Sequence, residues 1–161
     1  KIMAMHTWFE CKIRYEKVME NGMQKKVTEP YLVDALSFTE AEARIIEEMT
    51  PFISGEFTVS DIKRANYSEL FPSDEESADR WFKCKLIFIT LDEKSGAEKK
   101  TSTQVLVQAA DLRDAVKKLD EGMKGTMADY QIGMVSETPL MDVYPYSAEP
   151  NDKPEFDPSK A

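Results

Sequence analysis

The chain has 161 residues, of which 42% are apolar and 32% are charged, and its formal net charge is −9 at neutral pH. This length allows one domain, or two very small ones, with a real hydrophobic core, and the dispersed charges are not typical of a disordered chain. A chain this acidic is not expected to bind duplex DNA, because duplex binders neutralise phosphates with a basic surface.

Both ends of the chain are expected to lie outside the fold. Residues 1–6 include Met5, which resembles a native start, so the residues before it are interpreted as vector-derived. Residues 147–161 mix prolines and charges around one large apolar side chain, Phe156, and cannot bury enough surface to become ordered. We expect a flexible tail, which acts either as a solubilising extension or as a segment that recruits a partner.

The first folded segment, residues 7–72, is predicted to contain three strands and a helix. Apolar side chains recur at every second position of its first strand, as in a half-buried strand: Phe9, Cys11, Ile13 and Tyr15. Asn21 and Gly22 predict a hairpin turn, since a tight primed turn needs positive φ at both central residues. The second strand contains Pro30, which lacks an N–H donor, so this strand is expected at a sheet edge or at a bulge.

A helix and a third strand complete this segment. Residues 39–42 are interpreted as a capping box that opens the helix. Ala41, Ile45 and Met49 then form one apolar stripe, and the third strand is predicted over residues 56–62.

An acidic linker, residues 73–79, leads into a second segment, residues 80–146, with the same order of elements. Its strands are predicted at 81–91, 101–109 and 130–135, with a turn at 93–96 and a short extra strand at 140–144. Asp111 is the expected N-cap of the second helix. The apolar stripe of that helix consists of Leu112, Ala115, Val116, Leu119 and Met123.

The two segments are predicted to be copies of one ancestral unit. Residues 8–13 reappear as residues 81–86 at an offset of 73 positions, and Gly22 matches Gly96 at an offset of 74. The offset returns to 73 before the last strand, and both changes fall in predicted loops. The predicted fold is therefore α+β, with two tandem β-β-α-β repeats related by a pseudo-twofold and mainly antiparallel sheets with one helix per repeat.

The outer faces of the two predicted first strands differ in polarity. In the first repeat this face is polar along its length, whereas the second repeat has Ile87, Ile89 and Leu91 there. Apolar side chains in these positions need cover, either from the other repeat or from another subunit. We therefore expect a homo-oligomer.

No grouping of residues predicts a catalytic, cofactor or metal site. His6, the single histidine, has no partner at a recognisable spacing. Cys11 and Cys84 occupy matching strand positions and are interpreted as small buried apolar residues, with a redox pair as the alternative. The carboxylates at 40–48 and 74–76 are interpreted as a solvated surface, with a divalent-metal enzyme as the alternative.

The candidate binding residues are tryptophans and cations on the outer strand face. Residues i and i+4 of a strand share a face, so Trp8 lies beside Lys12, and Trp81 lies beside Lys85. With Arg14 nearby, such a surface is suited to stacking bases and holding phosphates. The alternative, which the net charge favours, is that the indoles pack in an interface between repeats or subunits while the lysine stems snorkel.

Two stretches carry a resemblance to a known family. Residues 8–16 and 27–43, and above all the run from Tyr31 to Glu42, resemble a domain-of-unknown-function family of small cytoplasmic proteins from gut bacteria and their phages. The resemblance extends over about residues 5–146. It implies a small intracellular or phage-encoded protein and brings no activity, ligand or catalytic residue.

These patterns together predict a cytoplasmic, non-catalytic binding or assembly protein without a cofactor. The sequence has no membrane-length apolar run, no signal-peptide pattern and no disulfide framework. We expect the protein to act on another protein or a small ligand through a groove between the repeats or an oligomer interface. Single-stranded nucleic acid or a nucleotide is the alternative ligand.

Overall fold

A computed structural model describes residues 7–145 as an α+β fold with two helices and eight strands in two mainly antiparallel sheets. The predicted α+β class with mainly antiparallel sheets is thereby confirmed, and the predicted start at 1–6 and tail at 147–161 lie outside the described residues. In chain order the elements are β1 (Trp8–Val18), β2 (Gln24–Asp34), α1 (Phe38–Met49), β3 (Phe57–Ala65), β4 (Glu69–Phe71), β5 (Arg80–Leu91), β6 (Glu98–Ala109), α2 (Leu112–Gly122), β7 (Asp129–Glu137) and β8 (Asp142–Tyr144).

The elements form two compact units. Unit 1 takes the chain up to residue 65 together with the chain from residue 142, and unit 2 takes residues 66–141. Sheet A of unit 1 has the strand order β3-β1-β2-β8, and sheet B of unit 2 has the order β7-β5-β6-β4. Neighbouring strands are antiparallel except for β8, which is parallel to β2, and β4, which is parallel to β6.

The short last strand of each half of the chain pairs in the other half's sheet. β4 follows β3 along the chain but is hydrogen-bonded to β6 in unit 2, and β8 follows β7 but pairs with β2 in unit 1. The sequence pattern predicts the strand that becomes β8 and does not predict β4. Residues 66–72, which the pattern assigns to the first repeat, belong to unit 2 in the structure.

Both helices begin at side-chain caps. The Ser37 hydroxyl accepts a hydrogen bond from the Glu40 amide at 3.1 Å, and the Asp111 carboxylate accepts one from the Asp114 amide at 2.8 Å. The predicted N-cap at Asp111 is therefore confirmed. The predicted capping box at 39–42 is wrong. The N-cap is Ser37, which has an extended backbone, and the helix begins at the next residue, Phe38.

One face of each sheet packs against the helix of its own unit. In unit 1 the buried side chains of this core are Phe9, Cys11, Ile13, Val33, Ala35, Ala41, Ile45 and Met49. In unit 2 they are Phe82, Cys84, Leu86, Val105, Val107, Ala109, Ala115 and Leu119. The predicted stripe of α1 is confirmed, whereas Leu112 at the start of α2 is 52% exposed.

The predicted hairpin at Asn21 and Gly22 is confirmed. The connection between its strands, residues 19–23, is longer than a tight two-residue turn. Gly22 has a φ of +84°, a value that a side chain would disfavour. Pro30 lies next to the point where β2 becomes an open edge, because β8 pairs only with residues 31–33. Within residues 7–145, neither helix combines the length and apolar character needed to cross a membrane.

Candidate functional site

The two tryptophans among the predicted binding residues are buried. Trp8 is 3% exposed and Trp81 is 5% exposed, whereas Lys12 is half-buried and Arg14 and Lys85 are exposed. Neither indole offers an open ring face on which a base could stack. The expectation that Trp8 lies on a water-facing strand surface is therefore wrong.

The tryptophans lie at the same end of each sheet, where other side chains on the face opposite the helix are buried as well. Leu32 and Val143 are directly paired between β2 and β8, share the face of Trp8, and are also buried. In sheet B the buried Leu106 lies on the face of Trp81. An alternating strand pattern predicts one dry face and one wet face, but here both faces exclude water.

A concave feature of small-ligand size lies at the opposite end of sheet A. An open cleft of about 590 Å³ is formed by the β1–β2 hairpin strands, the end of the loop before β3 and the first residues of β3. This volume falls within the range of small-ligand sites. We call it the hairpin cleft, and of the five predicted binding residues only Arg14 lines it.

Charges of both signs line the hairpin cleft. Arg14 and Lys26 supply the positive charges, and Glu16 and Glu56 supply the negative ones. The strand register sets Glu16 opposite Lys26 on β2, and Arg14 opposite Thr58 on β3. The cleft can therefore pair with an anionic and a cationic group of one ligand.

The remaining wall combines apolar and hydrogen-bonding groups. Val18 provides apolar surface, and Gln24 and Ser54 provide polar side chains. Tyr15 and Phe57 also border the cleft, but their side chains lie on the sheet face that packs against the α1 core. Tyr15 and Phe57 are half-buried and directly opposed across β1 and β3, so this part of the wall is held by the sheet itself. Mixed walls of this kind fix a ligand's orientation through a few polar contacts.

Tyr15 also belongs to a tyrosine cluster, which consists of Tyr15, Glu29, Tyr31 and Tyr144. The hydroxyl of Tyr15 donates to Glu29 Oε1 at 2.9 Å, and the hydroxyl of Tyr31 donates to the same oxygen at 3.4 Å. Lys17 Nζ lies 3.4 Å from Glu29 Oε2, and the Glu29 side chain is only 12% exposed. The Tyr144 ring stacks on Tyr31 with centroids 6.2 Å apart.

The cluster keeps its phenols neutral. Burial, with a smaller contribution from the bonded carboxylate of Glu29, raises the pKa of Tyr15 to about 12. Burial together with the charges of Asp142 and Glu48 raises the pKa of Tyr144 to about 12, and the pKa of Tyr31 is also raised, mainly by burial. At neutral pH the hydroxyls of Tyr15 and Tyr31 therefore keep their protons and donate them to Glu29 in hydrogen bonds.

The tyrosine cluster was not predicted from the sequence, although aligning the two segments shows that Tyr15 and Tyr31 have no tyrosine counterparts in the second one. Tyr15 and Tyr31 occupy register positions that Phe88 and Val105 take in sheet B. Phe71 on β4 stands where β8 has Tyr144. These three hydroxyls are present in sheet A and absent from the matching positions of sheet B, so the two sheets differ in chemistry here.

Each cysteine lies in the core of its own unit. Cys11 is packed in the α1 core and Cys84 in the α2 core, and both are free thiols with no exposed surface. Burial raises the pKa of Cys11 to about 12, with smaller contributions from Glu10, Asp61 and Glu42, and raises the pKa of Cys84 to about 11. These environments support the interpretation of both residues as buried apolar side chains.

The linker carboxylates were interpreted as a solvated surface, but one of them, Glu75, forms an ion pair with α2. Lys118 Nζ lies 2.8 Å from Glu75 and 2.7 Å from Asp114, so α2 holds the linker by an ion pair. The hydrogen bond from Lys118 lowers the pKa of Asp114. Among residues 7–145 no three His, Cys, Asp or Glu side chains are grouped in a way that could hold a metal ion.

Comparison with known proteins places the chain in a family. No curated protein matches it. A family model does match, over residues 7–146, which include both helices and all eight strands described above. The resemblance to an uncharacterised family is thus confirmed, and the chain belongs to the family described as a domain of unknown function, DUF4494.

Proposed function

We propose that the chain is a non-catalytic cytoplasmic binding protein, built from two β-β-α-β repeats, whose ligand site is the hairpin cleft of unit 1. The observation that carries the binding proposal is the cleft itself, with charges of both signs and an apolar wall within one small-ligand volume. The free thiols of Cys11 and Cys84 agree with a reducing compartment.

Matching irregularities support the repeat. The pairing of β1 with β3 shifts register between Lys12 and Ile13, and that of β5 with β7 shifts between Lys85 and Leu86, which are the aligned residues. Bulges are local features that a strand pattern alone does not impose. The aligned caps of α1 and α2 and the aligned strand orders of the two sheets agree with the same duplication.

The comparison between repeats also indicates which one binds a polar ligand. Arg14 and Glu16 in the hairpin cleft stand where β5 has Ile87 and Ile89. β5 is therefore apolar at these two positions, whereas β1 is charged there. If both repeats descend from one unit, this charge difference is the change that equips unit 1 for a polar ligand.

The wall of the cleft fits a small zwitterionic, peptide-like ligand. Arg14 and Lys26 suit a carboxylate, Glu16 and Glu56 suit an ammonium group, and the apolar side chain of Val18 suits a side chain of the ligand. A dipeptide with free termini carries all three groups. A purely apolar ligand would leave the four charges desolvated without a partner and is disfavoured.

Isothermal titration calorimetry with zwitterionic dipeptides tests this proposal. We expect phenylalanyl-glutamate and phenylalanyl-lysine to bind with Kd values of about 0.1–1 mM, and alanyl-alanine to bind more weakly, because the cleft is open and the ligand small. The Arg14→Ile variant, which places the residue of the second repeat in the cleft, is expected to weaken binding about tenfold through loss of one charge-assisted contact.

The matched control is Lys85→Ala, which removes an exposed cation from β5 outside the cleft. This control is expected to bind the dipeptides as the natural chain does. Absence of binding heat with all the dipeptides, or equal weakening by Arg14→Ile and Lys85→Ala, would count against the hairpin cleft as the site.

The homo-oligomer stays a separate proposal. Leu91 is 68% exposed at the end of the apolar strip that begins with the half-buried Ile87 and Ile89. Light scattering at high protein concentration tests it: Leu91→Lys is expected to shift an oligomer towards monomer, and a strict monomer of the natural chain would end the proposal.

A further inference from the structure

The outer edge of β7 is an open row of backbone donors and acceptors. β7 ends the strand order of sheet B, and within residues 7–145 no strand pairs with its outer side. The strand is nine residues long, and Gln131, Gly133 and Met134 along it are exposed. Such an edge is a ready template for another strand unless charges or bulges protect it.

β3 holds the corresponding edge of sheet A. Both edge strands have one bulged residue at the same place, Ser60 in β3 and Gly133 in β7, but β3 is also protected by charges that β7 lacks. Asp61 pairs with Lys12 of β1, and at the same place Met134 pairs with Lys85 of β5. Two residues further along, β3 has Lys63 where β7 has Ser136. Lys63 pairs with Glu10 of β1, and Ser136 pairs with Lys83, which is the matching position of β5.

Between Tyr130 and Ser136, β7 carries no charge at all. Charged side chains on an edge are a recognised means of preventing strand addition. β7 therefore has the length and the uncharged centre of a pairing edge, whereas β3 has the charges of a blocked one.

We propose that β7 binds an extended segment of a basic partner protein by strand addition, independently of the hairpin cleft. Main-chain hydrogen bonds to the open edge supply the affinity, and the side chains at the two ends supply selectivity. Asp129 and Glu137 bound the uncharged stretch, so the partner strand has an uncharged centre and basic residues at both ends.

A second copy of this chain fits the edge less well. Antiparallel pairing of two β7 strands centred on Gly133 sets Asp129 opposite Glu137 at both ends, and like charges directly opposed are destabilising. Arg80 lies 3.7 Å from Glu137, but both side chains are half exposed, and an exposed ion pair of this kind offsets little. Each copy also carries a net charge of −9, which favours a basic partner over another copy.

Fluorescence anisotropy with synthetic peptides tests the edge. The probe is a labelled nine-residue peptide of alternating threonine and valine with lysine at both ends, and the controls are the same peptide with glutamate at both ends and one with a central proline. We expect the lysine-ended peptide to bind at low salt, to weaken as salt is added, and to exceed both controls about tenfold in affinity.

A transplant of the protecting charges gives the matched variant. Met134→Asp combined with Ser136→Lys places on β7 the residues that β3 carries at the same register, and is expected to weaken peptide binding about tenfold. Met23→Asp combined with Met19→Lys is the control, because it adds the same two charges at exposed positions that line neither β7 nor the cleft, and it is expected to leave peptide binding unchanged. The β7 variant is expected to bind phenylalanyl-glutamate as the natural chain does, which separates this proposal from the cleft.

Hydrogen exchange on the natural chain provides a readout that does not depend on a folded variant. Amides of β7 are expected to gain protection when the lysine-ended peptide is added. Equal binding of the glutamate-ended peptide, or protection that appears on β3 and not on β7, would overturn the proposal. Protection of β7 that rises with protein concentration in the absence of peptide would assign the edge to a second copy and would overturn it as well.

Discussion

Individual ionisable residues show how burial decides their chemistry. Cys11 and Cys84 are enclosed by apolar neighbours, so their thiolate forms are penalised and their pKa values rise from 9.0 to about 12 and about 11. A thiol of this kind is neither a nucleophile nor a metal ligand near neutral pH.

These pKa shifts predict how stability depends on pH. A group whose pKa is higher in the folded state stabilises the fold fully below its unfolded pKa, and this stabilisation is lost as the pH rises towards the folded pKa. We expect the free energy of unfolding in urea to be level up to about pH 9 and to fall above it. The decline is expected to be shallower in Cys11→Ala, once its lower stability at pH 7 is taken into account.

Thiol labelling checks the same burial at neutral pH. Both cysteines are expected to resist a disulfide reagent in the native protein at pH 8 and to react fully in urea. A cysteine that reacts in the native protein at the rate of a free thiol would contradict the burial of that side chain.

Gly122 is the residue at which a side chain is least tolerated. A Cβ added there would lie 2.8 Å from the ring of Phe71, so β4 approaches the end of α2 through the space that glycine leaves. Gly122→Ala is expected to lower the free energy of unfolding by about 1–3 kcal/mol, although alanine favours a helix, because the ring has to move. Chemical denaturation measures this loss.

Gly55→Ala is the control for that substitution. Gly55 has no atom within 4 Å of an added Cβ, so its replacement is expected to leave stability nearly unchanged. Equal effects of the two substitutions would contradict the close approach of Phe71 to Gly122.

At the scale of the elements, α1 begins at a different residue in the structure than the sequence pattern predicts, and substitutions at the helix caps distinguish the two starts. Ser37→Ala and Asp111→Ala are each expected to destabilise the protein by about 1 kcal/mol, because each leaves a helix N–H without its acceptor. Thr39→Ala tests the start assigned from the sequence. It is expected to change stability by less than about 0.5 kcal/mol in denaturant titration, and a larger loss than Ser37→Ala would favour the capping box at 39–42.

Strand alternation and helix periodicity made most elements predictable. The pattern from Phe9 to Tyr15 placed β1, and the stripe of Ala41, Ile45 and Met49 placed α1, because a single buried face imposes one period. The start of α1 was missed because Ser37 and Thr39 are both acceptable caps, and only the backbone at Ser37 distinguishes them.

The candidate site was less predictable because it depends on contacts between distant residues. Arg14 was expected in a binding surface, but its neighbours there, such as Thr58, come from β3 and carry no local pattern. Trp8 was misplaced because alternation assigns one face to water, whereas Leu32, Asp34 and Val143 on that face are buried as well.

At the scale of the whole molecule, the exchange of short strands ties the two halves of the chain together. Sheet A takes β8 from the second half, and with it the Tyr31–Tyr144 stack and a hydrogen bond from Arg44 to the Pro145 carbonyl at 3.3 Å. Sheet B takes β4 from the first half in the same way. The predicted repeats are therefore not the same pieces of chain as the compact units.

Fragment complementation tests this exchange. A fragment of residues 1–72 lacks β8 and is expected to give a poorly dispersed amide spectrum, because a few strands and one helix are marginal alone. Adding a fragment of residues 73–161 is expected to restore native dispersion. A native spectrum from residues 1–72 alone would contradict the need for β8.

The central claim is that this protein binds a zwitterionic, peptide-like ligand in the hairpin cleft. The most direct measurement is an amide chemical-shift titration of the isotope-labelled full chain with phenylalanyl-glutamate. The account predicts saturable shifts concentrated at Arg14, Glu16, Lys26 and residues 54–58, with the equivalent residues of sheet B unmoved. Shifts spread evenly over both units, or confined to sheet B, would contradict it.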